Sequence, residues 1–291
     1  MSTPSIKDLI SRMPKSLGTY EPVLNEIEAA LNSSVCSIAT VAEAIERDPD
    51  LTARLLRLGN SSFFGFPLRL ATVKEAISLI GLQEVHDLIV ASSVIRQFKG
   101  VPGDLVNMKS FWEHSLACGI GARVLASQRH LPHADKFFVA GLLHDLGRLV
   151  LFQEAPEESH EVFRLYRKER LLLHEAEAKV LGFNHAEIGE ALMRHWQYPP
   201  NLALAVARHH RPTTTGITNP EAAVVHVSDY LVNAMELGSS GEHYVPPLQP
   251  EAWNALRCTT DILGTVVKTI EEQIETVEEA FLSVAENTCP P

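Results

Sequence analysis

The chain has 291 residues, enough for one large domain or two ordinary ones with a sizeable core. Hydrophobic residues make up 45% and charged residues 21%, which is a globular rather than a disordered composition. A formal net charge of −11, with no Lys/Arg run, argues against a general binder of nucleic acid or of an anionic membrane surface.

Hydrophobic spacing is helical nearly throughout. Residues 37–46 and 49–58 read as two short helices around an Arg47-Asp48-Pro49 break, with Asp48 placed to cap the second and Pro49 in its first turn. Residues 60–67 form a loop. Thr72 and Glu75 make a capping-box pattern that opens an apolar helix through Ile80. Gly81 punctuates, and 83–98 continues as another helix. Residues 99–107 are the best internal boundary, because Gly and Pro break the pattern there. Helices are predicted over 110–130, 134–153, 157–170, 173–181, 185–196, 201–210 and 220–237. A loop over 238–250 and a long helix over 260–285 complete the chain, with no strand series or internal repeat. The expected fold class is all-α.

The final helix carries Leu263, Val267, Ile270, Ile274, Val277, Phe281 and Val284 at alternating steps of four and three, the seam of a coiled coil. Asp261, Glu271, Glu272, Glu275, Glu278, Glu279 and Glu286 surround it against Lys268 alone. A helix packed on its own domain is favoured, and a homodimer or a partner helix stays open.

Cys36, Cys118, Cys258 and Cys289 are far apart and form no CxxC pair, so zinc-ribbon and redox-motif readings fail and no disulfide framework is expected. Residues 1–15 lack a basic segment followed by an apolar stretch, so no secretory signal is read there. No run of about 18 apolar residues suggests a membrane span. The cytoplasm is the expected compartment.

Thirteen histidines raise the question of convergence. Residues 137–151 are apolar on nearly every side, which marks a helix at the centre of the protein, yet His144 and Asp145 sit in their middle. A buried carboxylate needs a cation, an ion pair or a metal. Arg148, three residues on, is one candidate partner. His114 lies on a small, apolar face beside Cys118, Gly121 and Leu125, and Asp229 lies in the strongly apolar stretch 222–232. Three apolar helices thus each carry His or Asp where a core residue is expected, which is how a metal site is built inside a helical bundle. His185, opening a helix, and His209 and His210, ending one, fit the same picture. Imidazole with carboxylate suits iron, manganese, zinc or nickel. The competing reading is a hydrogen-bonded polar network around Arg148. His86, His130, His133, His160, His174 and His243 read as surface or helix-end residues, while His195 and His226 are ambiguous.

The segment Gly141-Leu-Leu-His-Asp-Leu-Gly147, with His114 upstream, resembles the HD superfamily of metal-dependent phosphohydrolases. The wider pattern is similar to HDOD, the HD-related output domain. It is carried by Asp48-Pro49, Leu51 and Arg54-Leu55-Leu56, by Asn60-Ser61 and Phe64, and by Ala76-Ile77 with Leu79-Ile80-Gly81-Leu82. Further on it is carried by His185, Gly189, Leu192, Trp196 and Pro199, and by Ala207 with His209-His210. The resemblance covers about residues 10–230. It implies a multi-helical HD-type bundle with an N-terminal helical lobe over 1–100, an HD-like core over 105–237, and a C-terminal long helix within 251–291. It also implies His114, His144, Asp145 and Asp229 as HD-type ligands, with His185, His209 and His210 as the additional ligands of HD-GYP relatives. The implied cofactor is a divalent transition metal, di-iron ahead of manganese or zinc. Two departures oppose cyclic-dinucleotide hydrolysis: Arg148 stands where HD-GYP proteins carry Lys, and residues 211–216 hold no Gly-Tyr-Pro triplet.

The leading expectation is a non-catalytic regulatory module that meets a signalling protein or a small ligand through its N-terminal lobe, the cleft between lobes or the acidic final helix. The alternative is a metal-dependent phosphohydrolase acting on a nucleotide or phosphoester, with Asp145 bridging two metals and Arg148 stabilising phosphate charge. Di-iron oxygen chemistry ranks third.

Overall fold

Short polar caps mark where several helices start. Ser5 and Asp8 cap one reciprocally, Asp48 accepts from Leu51 N, and Thr72 with Glu75 makes the capping box read from the sequence. The structure is a computed structural model and describes residues 4–15, 20–32, 37–98 and 101–282. Cys36, Lys99, Gly100, Val284, Glu286 and Cys289 lie outside the described residues.

In chain order the first helices are α1 (Ile6–Arg12), α2 (Glu21–Leu31), α3 (Ile38–Glu46), α4 (Pro49–Gly59), α5 (Val73–Ile80) and α6 (Leu82–Gln97). Then come α7 (Met108–Gln128), α8 (Asp135–Leu143), α9 (Leu146–Glu154), α10 (Pro156–Glu169), α11 (Leu173–Leu181), α12 (His185–His195) and α13 (Pro200–Arg208). A two-residue antiparallel hairpin, β1 (Thr213–Thr214) with β2 (Ile217–Thr218), precedes α14 (Pro220–Ala234), α15 (Pro250–Ala255) and α16 (Thr260–Leu282). The fold is all-α apart from that hairpin.

The helix predicted over 134–153 is two helices. α8 stops at Leu143 and α9 starts at Leu146, with Asp145 at φ −97°, ψ 8° between them. Both halves are apolar all round and neither contains Pro, so the hydrophobic pattern carried no sign of the break. The helices α1, α2 and α15 were not read from the sequence.

The chain divides into two compact units. One comprises residues 16–97 and 271–291. Its core includes Ile27, Val41, Ile45, Leu51, Ile77, Val85 and Ile89. A polar network is set into it: Asp50 Oδ2 accepts from Tyr20 Oη (3.1 Å), Arg54 Nε (3.2 Å) and Arg96 Nη1 (2.7 Å). Arg54 Nη1 also donates to the Phe281 carbonyl at 2.7 Å, satisfying one of the last carbonyls of α16.

The other unit comprises residues 1–15 and 98–270. Its middle is α7, buried along most of its length. A Cβ on Gly141 of α8 would stand 2.5 Å from the Cys118 carbonyl oxygen, and one on Gly147 of α9 would meet the His185 carbonyl. Glycine at these two points therefore lets α8 close on α7 and α9 close on the start of α12.

On α16 the buried positions are Val266, Ile270, Val277, Ala280 and Phe281, while Leu263, Val267 and Ile274 are half-buried. The stripe thus follows a helical face packed on the chain itself, displaced from the predicted heptad seam. No single helix among the described residues is long and apolar enough to cross a membrane. The α5–α6 pair passes by length and composition only jointly, across a 111° bend.

Candidate metal centre

Five elements of the second unit bring polar side chains to one buried place. α7 carries His114 and Cys118, the α8–α9 break carries His144 and Asp145, and α12 opens with His185. His209 and His210 follow α13, and α14 carries Asp229. All seven residues singled out from the sequence as metal ligands converge here, together with Cys118, which the sequence placed only as a neighbour of His114. They form two groups: His114, Cys118, His144 and Asp229, then Asp145, His185, His209 and His210.

Local folding fixes the directions of the rings. Asn184 caps α12 by accepting from Ala186 N and Glu187 N, while Glu187 accepts from Asn184 N, so His185 sits rigidly in the first turn. His144 Nδ1 donates to the Gly141 carbonyl at 2.7 Å, and His209 Nδ1 donates to the Val206 carbonyl at 2.7 Å. A carbonyl only accepts, so Nδ1 carries a proton in both rings; Nε2 offers a lone pair in His209, and in His144 once its second proton is displaced. His185 Nδ1 donates to Glu177 Oε2 at 2.6 Å, and the same carboxylate oxygen accepts from His185 N at 2.8 Å. This carboxylate–histidine pairing is the outer support typical of a metal-binding imidazole.

The Nε2 atoms and the carboxylate oxygens face one another. His185 Nε2 lies 2.9 Å from Asp145 Oδ1, 3.3 Å from His209 Nε2 and 2.9 Å from His210 Nε2. His144 Nε2 lies 3.2 Å from Asp145 Oδ2 and 3.6 Å from Asp229 Oδ1, and His114 Nε2 lies 3.3 Å from Asp229 Oδ1. The two oxygens of Asp145 therefore point to different groups, Oδ2 to His114 and His144, Oδ1 to His185 and His209. His144 Nε2 and Asp145 Oδ1 are buried without a hydrogen-bond partner. Asn233 Nδ2 donates to Asp229 Oδ1 at 2.7 Å and Arg148 reaches Asp145 Oδ2, so these donors serve one edge of the cluster and leave His144 Nε2 and Asp145 Oδ1 as groups a cation would satisfy.

Charge points the same way. Four buried carboxylates, Asp145, Glu177, Glu242 and Asp229, act on one buried guanidinium, Arg148. Burial pushes the Asp145 and Asp229 carboxyls up, yet Arg148 beside the first and His114 and His144 beside the second hold both well below the usual carboxylate range. Burial alone would lower His144, but the Asp145 and Asp229 carboxylates outweigh it and raise its ring to about 10. Burial and the neighbouring rings push His209 and His210 well down. The cluster thus draws positive charge, with the His144 and His185 rings pushed toward the charged form and His209 and His210 held neutral, and a divalent metal would supply that charge.

Arg148 is Asp145's partner, as its spacing predicted, with Nη1 3.0 Å from Oδ2. Its Nε also lies 3.7 Å from Glu177 Oε1, and Nη1 donates to Ser240 Oγ. Ser240 belongs to a strap, residues 238–249, that crosses the cluster. Ser239 N donates to the Ser110 carbonyl, Gln249 N to His226 Nε2, and Gln249 Nε2 to the His210 carbonyl. Glu242 pins its middle by accepting from Tyr166 Oη (2.8 Å), Leu173 N (2.7 Å), His243 N and Tyr244 N.

Sequence reading missed Glu177, Ser240 and Glu242. Glu177 had a signal, since it lies one turn after Leu173 on the inward face of α11. His226 is a hydrogen-bonded core residue, donating to the His209 carbonyl and accepting from Gln249 N. His195 joins neither group. His174, read as a surface residue, stacks on His210 with ring centres 3.9 Å apart; burial, aided by the His185 charge, pushes it down to about 4.

The sequence profile of the HDOD domain matches residues 17–212. The chain belongs to the HDOD family. The matched stretch holds His114, His144, Asp145, His185, His209 and His210 but ends before Asp229 and the strap. An uncharacterized protein of Treponema pallidum (strain Nichols) is 26% identical over 208 residues, and the aligned part covers 71% of this chain and 39% of that protein. This HDOD chain therefore spans about two fifths of that relative's length. A crystal structure of an HDOD domain protein of unknown function from Geobacter sulfurreducens superposes with a TM-score of 0.75, at 25% identity, over 95% of this chain and 97% of that one. A protein provisionally named a phosphohydrolase, from Shewanella amazonensis, superposes with a TM-score of 0.71, at 20% identity, over 94% and 96% of the two chains, which speaks for the fold alone.

Proposed function

We propose that this HDOD chain is a regulatory signal-transduction module whose core holds a buried divalent metal centre and that it turns over no substrate. The observation that carries the reading is closure. His114, His144, Asp145, His185 and His209 each expose no more than 2% of their surface. A hydrolytic site needs a position open to water and substrate, and here the strap crosses that place. Arg148, the group best suited to hold a phosphoryl oxygen, is engaged by Asp145 and Ser240 instead.

His114, His144 and Asp229 would hold one metal, and His185, His209 and His210 a second, with Asp145 reaching both groups. When bound, the metal supplies positive charge and Lewis acidity. Iron ranks first among the candidate metals, with manganese or zinc after it. Glu177 orients His185, and Arg148 neutralises Asp145 and Glu177. The output would be contact with a signalling protein or a small ligand, for which the helices of residues 16–97 and the acidic face of α16 are the candidate surfaces.

The test is phosphate release by metal-loaded protein from a panel of phosphomonoesters, phosphodiesters and cyclic dinucleotides. Wild type is expected to match the background of a His144→Ala/Asp145→Ala variant. Release above that background, lost in the variant, favours the second reading, a metal-dependent phosphohydrolase. That reading draws on the two-sided placement of Asp145 and on the phosphohydrolase name of the Shewanella neighbour.

A further inference from the structure

Cys118 has no part in the ligand pattern read from the sequence, yet its sulfur belongs to the first group of the centre. It lies one turn after His114 on α7, so the two side chains share a face, and Sγ is 3.6 Å from His114 Nε2. Its backbone is fixed from two sides: Ser228 Oγ donates to the Cys118 carbonyl, and Gly141 packs against that same carbonyl. The residue is fully buried and free of any disulfide.

The spacing of the four ligand atoms is informative. Bonds of about 2.0–2.3 Å from one tetrahedral metal place its ligands about 3.3–3.8 Å apart. Sγ to His114 Nε2 is 3.6 Å, His114 Nε2 to Asp229 Oδ1 is 3.3 Å, and His144 Nε2 to Asp229 Oδ1 is 3.6 Å. All four atoms lie within 4.8 Å of one another. His144 Nε2, buried and without a hydrogen-bond partner, aims into the same space. Three of the six edges, including the one that Cys118 makes with His114, thus have the length that ligands of one metal require.

We infer that Cys118 is a sulfur ligand of the metal site formed with His114, His144 and Asp229, toward which Asp145 Oδ2 also turns, so that the two groups of the centre differ in kind, one with sulfur and one with only imidazole and carboxylate. The inference rests on the metal reading above. Binding replaces the S–H bond by a metal–sulfur bond, and the proton leaves to solvent. A thiolate biases its site toward softer divalent ions such as zinc, whereas the His185, His209, His210 and Asp145 group keeps the character of a harder one.

The test is Co²⁺ loading of the full chain, wild type beside Cys118→Ser and Cys258→Ser. Wild type and Cys258→Ser should show a thiolate-to-cobalt charge-transfer band in the near ultraviolet as well as the visible bands of bound cobalt. Cys118→Ser should keep visible bands from the second group and lose the near-ultraviolet band. X-ray absorption of zinc-loaded wild type needs no variant and should contain a sulfur shell at about 2.3 Å. Bound cobalt with no charge-transfer band, or a band that survives in Cys118→Ser, overturns the ligand role of Cys118 and leaves the metal reading standing. No bound cobalt in wild type overturns both.

Discussion

The two units satisfy charge in opposite ways, the first at a half-buried network and the second at a fully buried one. In the unit of residues 16–97 and 271–291, the carboxylate of Asp50 meets two guanidinium groups and a phenol, all donors, so the network is complete with protein atoms alone. In the unit of residues 1–15 and 98–270, His144 Nε2 and Asp145 Oδ1 are left without a donor, and four buried carboxylates, Asp145, Glu177, Asp229 and Glu242, act on one guanidinium, Arg148. The first arrangement holds a fold together with its own groups, while the second would gain from a positive charge brought into it. Burial of polar groups is therefore not by itself a sign of a site. The sign is that the protein's own donors do not suffice.

The largest effect is expected where the second network loses its one fixed cation. Arg148→Ala leaves Asp145 and Glu177 without their guanidinium and should destabilise the metal-free protein by about 3–5 kcal/mol in urea unfolding. Asp145→Asn should be tolerated better, because it removes a buried charge rather than a partner. The reverse ranking would break the claim that Arg148 serves as an internal counter-ion. Metal should recover part of the Arg148→Ala loss, since it supplies the missing charge.

Next is the strap. Glu242→Ala removes the acceptor of the Tyr166 hydroxyl, Leu173 N and Tyr244 N, while His243 N keeps Tyr166 Oη, for a loss of about 2–3 kcal/mol. It should also raise hydrogen exchange across residues 238–249. Unchanged exchange there would mean that the strap is held without its carboxylate.

Asp50→Asn sharpens the comparison from the other side. It weakens the bonds to Arg54 and Arg96 and should cost about 1–3 kcal/mol. Metal content should stay at the wild-type level, and a fall in bound metal would contradict the independence of the two networks.

The smallest effect concerns His86, half-buried between Asp87 and Glu28. Burial lowers its pKa, but the hydrogen bond and charge of Asp87, with Glu28, raise it above the usual value. Stability from this group is thus fully present below about pH 6.5 and is lost as pH rises through the folded value. His86→Gln should flatten that stretch of the stability curve by a few tenths to about 1 kcal/mol, and a slope equal to wild type would exclude the pairing.

Much of this could be read from the chain. Asp48-Pro49 and Thr72 with Glu75 are local signals, and the structure places helix starts where they stand. The ligand set was legible because His114, His144, Asp145 and Asp229 interrupt stretches that are otherwise apolar, so each stood out from its own neighbours. The break at His144-Asp145 was not legible, because no proline stands there and the surrounding residues keep an apolar helical pattern through it. Nor was the strap, since Ser240 and Glu242 find Arg148, Tyr166 and Leu173 across long stretches of chain. His226 and His209 look alike in sequence, and only their hydrogen-bond partners separate a satisfied core residue from a ring with a bare nitrogen.

The most direct measurement is the metal content of protein purified without a polyhistidine tag or chelator, beside a His144→Ala/Asp145→Ala variant. One or two equivalents of a transition metal in wild type, absent from the variant, is the expected result. No metal in either protein, even after reconstitution with iron, manganese and zinc, would contradict the central claim and leave the cluster as a metal-free polar core.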